Sequence, residues 1–499
     1  MARGDILPAR IGRIGAVAVA FALIGAAKAS AVTPGDLYRR GQFPARVGQS
    51  ETFWNPSGRL GTFLATGAVA TAGHAFFQPL GTNGRSCATC HQPPSALGLS
   101  LRNIRSRYLA TDGKDPLFAA IDGANCPTAV TSPSPSSGGA GSRHPGKRAF
   151  SLLVNRGTIR MSLPWPPRNA DGSAKPVEFT LEIRPGDDAP GCNLDPTWGL
   201  PSGRVSVYRR PPSVAQMNFK TLRPSGSGPI LAGSLMWDGR KPSLERQAID
   251  ATRDHAEATR DPTSQQIAQI VEFQSKFFAA QLIDGLAGRL DAADGRGGPA
   301  QLQRRVPGLA FGTTFDEYAR WLGRTDALGA IARGQQIFNS RTFTAAAVDG
   351  FNDRPAVGNP NPSTTCSSCH NIASSGADFV ASPQLNVGAG GSAVSSGGPA
   401  AATVLPRFTL TCLPSAKPGF HGRGPLVVND PGLALVTGKC ADIGKFTVPQ
   451  LRGLAAREPY FHDGSARDLP AVVDFYEQRF ALGLSAQEKR DLAAFLAAL

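Results

Sequence analysis

Methionine and histidine are scarce in this 499-residue chain: four methionines, Met1, Met161, Met217 and Met236, and seven histidines. No thioether therefore lies beyond residue 236 to serve as a ligand, and any motif that uses histidine is informative. No apolar run approaches the roughly 20 residues that a membrane-spanning helix needs, so no membrane span is expected. The net charge of +15 is spread along the chain without a polybasic tract. That argues against a nucleic-acid site and favours acidic partners or anionic surfaces. Cysteine is sparse too, eight in all, and half of the cysteines fall into one recurring pattern.

What is present begins with a leader. Arg3, Arg10 and Arg13 precede the apolar run from Ile14 to Ala27 and the small residues Ala29, Ser30 and Ala31. This is the pattern of a signal peptide over residues 1–31, cleaved near Ala31, and it implies export. The leader holds Arg3, Arg10, Arg13 and Lys28 against Asp5, a surplus of three, so the mature chain keeps +12. The remainder has room for two or three domains at roughly 100 to 200 residues each.

Four cysteines sit in two pentapeptides, Cys87-Ala88-Thr89-Cys90-His91 and Cys366-Ser367-Ser368-Cys369-His370. Both match the signature for covalent attachment of a c-type haem. Two haems are expected, each held by two thioethers, with His91 and His370 as the proximal iron ligands. Zinc or redox CxxC motifs are the alternative, but the following histidines, the export signal and the wide separation argue against them. The remaining cysteines, Cys126, Cys192, Cys412 and Cys440, suggest two disulfides in an oxidising compartment. Cys126 with Cys192 and Cys412 with Cys440 is the pairing expected, one of three that four cysteines allow.

A helix is expected from Asp326 to Phe338, with Leu328, Ile331 and Phe338 on one side, so a second domain starts near residue 325. Ser485 and Glu488 make a capping-box pair before Leu492, Phe495, Leu496 and Leu499, which predicts a packed terminal helix. Residues Val177 to Arg184 alternate as a half-buried strand would, inside a β-containing insertion at about 125–208. Gly-, Ser- and Pro-rich tracts at 131–143 and 387–400 read as loops. The expected fold is mainly α: two tandem cytochrome c domains, 32–324 and 325–499, with the β-containing insertion in the first.

The sixth ligand separates an electron carrier from an enzyme, because an iron with an open position can bind peroxide or oxygen. With no methionine in the second domain, its candidates are Tyr476, Tyr460, His462 and His421. A tyrosinate would lower the potential of that haem.

Two further segments carry a family resemblance: Met236-Trp237-Asp238-Gly239-Arg240 continuing to Leu244, Gln247 and Ala248, and Phe446 to Gly453 followed by Pro459-Tyr460-Phe461-His462-Asp463-Gly464-Ser465. In their order relative to the haem motifs the chain resembles the bacterial dihaem cytochrome c peroxidase and MauG superfamily. The resemblance implies that Trp237 mediates electron transfer between the haems, that Gln247 shapes the peroxide pocket and that Glu257 acts as acid and base. Such a carboxylate can take a proton from one peroxide oxygen and return it to the other. Ala251 replaces a family proline, and His255, two residues before Glu257, either assists proton transfer or reaches the first haem as a ligand. Where the peroxidases place an axial methionine, fourteen residues after His462, this chain has Tyr476, as in the MauG-like branch. No histidine occurs between His91 and His144, so a displaceable ligand for the first haem is missing. Calcium, which the family often binds, is disfavoured because Arg210 and Arg457 stand near the positions of its ligands.

The expectation is therefore a periplasmic peroxidase that reduces hydrogen peroxide at the His91 haem, with electrons relayed through the His370 haem from a small donor such as a cytochrome c or cupredoxin. A MauG-like oxidase of a protein or small substrate and a non-catalytic dihaem electron carrier are the alternatives. Analogy with the family allows a homodimer.

Overall fold

Asp326 caps the helix Ala327–Ser340, its carboxylate accepting the Gly329 amide at 3.2 Å. Ile331 and Phe338 are buried and Leu328 is half-buried, the apolar side expected there. The helix packs on the terminal helix Ala486–Ala498, which the Ser485 and Glu488 capping box begins. The two backbones approach most closely at Gly334, where a Cβ would lie 2.0 Å from the Asp491 carbonyl oxygen. Only glycine fits such a contact. Leu492, Phe495, Leu496 and Leu499 complete this core with Tyr318 and Trp321.

This computed structural model describes residues 1, 33–131, 146–221, 235–305, 314–353, 362–372, 374–377, 384–391 and 404–499. All but the first residue of the expected leader, and most of the two Gly-, Ser- and Pro-rich tracts, lie outside them. Residues Pro34–Leu499 form one compact unit. Among the described residues no helix is long and apolar enough to cross a membrane.

The expectation of a mainly α fold is not met. Of the described residues 35% are helical and 18% are in strands, and those strands form six small sheets. They are two to eight residues long, too short for an alternating pattern to stand out over background. The largest sheet is antiparallel and four-stranded, with Gly58–Leu64 between Ser50–Asn55 and Phe277–Asp284. The alternation at 177–184 does give a strand, Phe179–Glu182, but its partner is Phe408–Cys412, which in turn pairs with Leu426–Val428. The insertion is thus stitched to the far half of the chain. The disulfides Cys126–Cys192 and Cys412–Cys440 close two loops, the second starting from the last residue of the strand Phe408–Cys412.

Candidate functional site

The two Cys-x-x-Cys-His motifs are built alike. Each Cys-x-x-Cys forms a single helical turn, Cys87–Cys90 and Cys366–Cys369, which sets the two cysteines three apart on one face. Each turn begins at a reciprocal cap. The Ser86 amide donates to Thr89 Oγ1 at 3.0 Å, and the Thr365 amide donates to Ser368 Oγ at 3.2 Å. In each the histidine ring is held by the carbonyl six residues on: His91 Nδ1 donates to Leu97 O at 3.0 Å and His370 Nδ1 to Gly376 O at 2.6 Å. A ligating histidine is commonly oriented in this way by its other nitrogen.

Each motif opens into its own cavity. Cys87, Cys90 and His91 line one, and Cys366, Cys369 and His370 line the other. Burial pushes the Cys87 and Cys366 thiols up to about 12 and the His91 imidazole down to about 4. Neutral thiols and a neutral imidazole facing apolar space suit thioether attachment of a tetrapyrrole better than a thiolate metal site. Among the described residues no group of three or more Cys, His, Asp or Glu is arranged to hold a metal ion.

The cavities share a wall. Arg210, Pro212, Trp237, Gln450 and Arg457 line both. Trp237 is fixed there by its indole, which donates to Arg210 O at 2.7 Å, and by its carbonyl, which accepts the Thr447 amide at 2.8 Å. The adjoining Asp238 is fully buried, paired with Arg209 and, at 2.7 Å, with Arg240. Arg209 also donates to both carboxylate oxygens of Asp430, at 2.6 and 2.9 Å. The Trp-Asp-Gly-Arg segment is therefore anchored through its aspartate to the residue beside Arg210. No local signal marks Arg209 or Asp430 in the sequence, because their partners are 29 and 221 residues away.

On the other side of the first cavity runs the helix Leu244–His255, capped by Ser243. Gln247, Ala251 and His255, spaced by four, turn one face to the cavity. The side-chain oxygens of Gln247 and of Gln274, which also lines the cavity, are buried without a partner among the described residues. His255 Nδ1 donates to Asp122 at 2.6 Å, and Asp122 is 5% exposed with Arg85 3.7 Å away. Glu257 is not brought into this cavity. The helix ends at His255, and Glu257 takes a left-handed φ of +56° that leaves its exposed carboxylate accepting from Asn83 at 2.9 Å. Asp122 is the residue that the sequence did not mark.

Of the four residues expected as candidate ligands beside His370, Tyr476, Tyr460 and His462 line the second cavity and His421 does not. His421 is occupied by the carbonyls of Gly422 and Cys440, at 2.8 and 3.1 Å. Tyr460 donates its hydroxyl to Leu454 O at 3.0 Å. His462 is buried and stacked on Phe446, with ring centroids 4.0 Å apart. Tyr476, on the Asp468-capped helix Leu469–Phe480, has no hydrogen-bond partner for its hydroxyl among the described residues. Burial raises its phenol pKa, and the nearby Cys369 and Cys366 add to the rise.

No protein-family model matches the chain. A short stretch resembles cytochrome-c peroxidases. Over 81 residues the chain is 42% identical to cytochrome-c peroxidase IdrP1 of Pseudomonas sp. (strain SCT), covering 14% of this chain and 21% of that protein. Over 66 residues it is 47% identical to cytochrome-c peroxidase IdrP2 of Denitromonas iodatirespirans, covering 12% and 18%. The matches thus span about a fifth of the length of these relatives. A MauG-like protein associated with microbial copper homeostasis, known from its crystal structure, aligns over 58% of this chain and 73% of its own, at 21% identity and a TM-score of 0.30. That overlap is too loose to argue from.

Proposed function

We propose that the chain is an exported, periplasmic dihaem c-type peroxidase that reduces hydrogen peroxide to water with electrons from a small redox protein. The observation that carries this reading is the pair of like-built Cys-x-x-Cys-His turns, each facing its own apolar cavity across a wall that contains Trp237. Similarity to cytochrome-c peroxidases over a fifth of their length supports it. The division into cytochrome c domains at 32–324 and 325–499 belongs to the same proposal.

Bound through the four thiols, two c-type haems supply the iron centres for peroxide reduction and electron relay. His91 and His370 would each hold the iron of one haem. In the first cavity Gln247 orients peroxide through its unpartnered oxygen. His255 takes the proton from one peroxide oxygen and returns it to the departing one, as a positioned general acid and base does. Asp122 keeps the ring turned toward the cavity. Glu257 stands outside this exchange. Trp237 would carry electrons between the two sites, and Tyr476 would be a further ligand for the second iron. The two electrons and two protons that turn hydrogen peroxide into two waters come from the donor protein and from solvent.

A MauG-like oxidation of a protein or small substrate is the second reading, favoured by Tyr476 and by the lack of any methionine beyond residue 236. Electron paramagnetic resonance of the oxidised protein, before and after one equivalent of hydrogen peroxide, tests both against a plain carrier. One high-spin and one low-spin ferric signal, both altered by peroxide, support the enzyme. Two low-spin signals indifferent to peroxide leave an electron carrier. Peroxide-dependent oxidation of a reduced cytochrome c or cupredoxin then distinguishes the peroxidase from the oxidase.

A further inference from the structure

Two guanidinium groups in the shared wall have no carboxylate within ion-pair distance among the described residues. Arg210 is 5% exposed, Arg457 is half-buried, and both line both cavities. Arg210 donates to the carbonyls of Leu99, Arg156 and Arg457 at 2.6, 3.0 and 2.8 Å. Arg457 donates to the carbonyls of Gln450, Arg452 and Gly453 at 2.9, 3.0 and 3.3 Å. Among the described residues neither has an aspartate or glutamate within ion-pair distance, as is also true of the buried Arg160, whereas the buried Arg107 and Arg452 each pair with one and Arg209 pairs with two.

The surroundings make room for these two side chains. A Cβ at Gly157 would lie 2.0 Å from Arg210 Nη1, and one at Gly98 would lie 3.2 Å from Arg457 Cδ. Carbonyl oxygens satisfy the N–H groups but bring no net charge, so the buried Arg210 and the half-buried Arg457 lack a direct ion pair, Asp463 acting on Arg210 only from beyond that distance. Burial pushes Arg210 down to about 9, with the charge of Arg457 adding to the fall, and pushes Arg457 down to about 10. Both side chains line the two cavities, so a ligand there would be placed to supply a counter-charge. A haem brings two propionate carboxylates, and guanidinium is the side chain best matched to a carboxylate.

We propose that Arg210 and Arg457 form a fixed cationic bridge between the two cofactor sites, each site contributing a propionate to it. This rests on the dihaem reading above, since it needs a haem in both cavities. The bridge would supply the carboxylate partners that no described residue places within ion-pair distance. Its positive charge would disfavour the more positive ferric state of both irons, so removing part of it should lower both reduction potentials together.

The test uses purified holoprotein, with covalent haem counted by the pyridine haemochrome method and both potentials read by spectroelectrochemical titration. Arg457→Gln should lower both potentials with haem count and spin states unchanged, and Arg457→Lys should restore most of the shift. Two haems with one or neither potential moved, or a lysine variant that behaves like the glutamine one, would overturn the bridge alone. Fewer than two covalent haems in the wild type would overturn the dihaem reading and the bridge with it. If Arg457→Gln fails to accumulate as holoprotein, resonance Raman spectra of the wild type read the same contact. Propionate bending modes typical of guanidinium-bonded carboxylates support the bridge, and modes typical of solvated propionates overturn it.

Discussion

His255 and Asp122 are 133 residues apart in sequence and 2.6 Å apart in space, joined through Nδ1 and a buried carboxylate at the edge of the first cavity. The pair places a ring on the cavity where the resemblance had placed Glu257. His255→Ala is expected to slow peroxide turnover by about 10²-fold, the usual lower range for loss of a general acid and base. Asp122→Asn should cost less than this, and Glu257→Gln should leave the rate nearly unchanged. Steady-state turnover of the three variants decides the matter. A large loss in Glu257→Gln with His255→Ala unaffected would return the role to Glu257.

Tyr476 lines the second cavity, and no described residue makes a hydrogen bond to its hydroxyl. Tyr476→Phe should leave haem content intact, convert the His370 site to a high-spin spectrum and raise its potential, because a tyrosinate ligand favours the oxidised state. Magnetic circular dichroism in the near infrared reads the ligand change directly. Identical spectra in the variant would show that the hydroxyl does not reach the iron.

The Cys126–Cys192 disulfide spans 66 residues and closes the expected insertion. Loop-closure entropy puts its contribution at roughly 4 kcal/mol. Replacing both cysteines by serine should lower the denaturation midpoint accordingly, with peroxide turnover at low temperature retained. Unchanged stability would mean that other contacts, such as the Tyr208 hydroxyl on Asn125 O, already hold the loop.

Asp238 is the buried end of an ion cluster with Arg209 and Arg240. Burial alone would raise its pKa, but the two guanidinium groups hold it well below the usual carboxylate range. A folded-state value below the unfolded one, about 3.9, stabilises the fold above that pH and is lost as pH falls below it. Asp238→Asn should therefore cost about 3 kcal/mol near neutrality, the lower range for breaking a buried pair. The deficit should shrink below roughly pH 4. Thermal melts of both proteins across that range test this, and a constant difference at every pH would contradict it.

Local rules set much of what could be read in advance. Two Cys-x-x-Cys-His turns, the Asp326 and Ser485 caps and the strand around Phe179 each depend on residues within a few positions of one another, so the sequence alone determined them. So did the absence of a late methionine, which left Tyr476 among the few remaining candidates for the second site. Only the tertiary structure decided which strand Phe179–Glu182 would join, because its partner Phe408–Cys412 lies more than 200 residues downstream. The left-handed turn at Glu257 decided that His255 rather than the glutamate would face the cavity. The common wall, where Arg210 and Arg457 meet without a carboxylate, is likewise assembled from segments distant in the chain. Spacing can tell which residues share a helical face, but burial and the pairing of buried charges depend on what packs against that face.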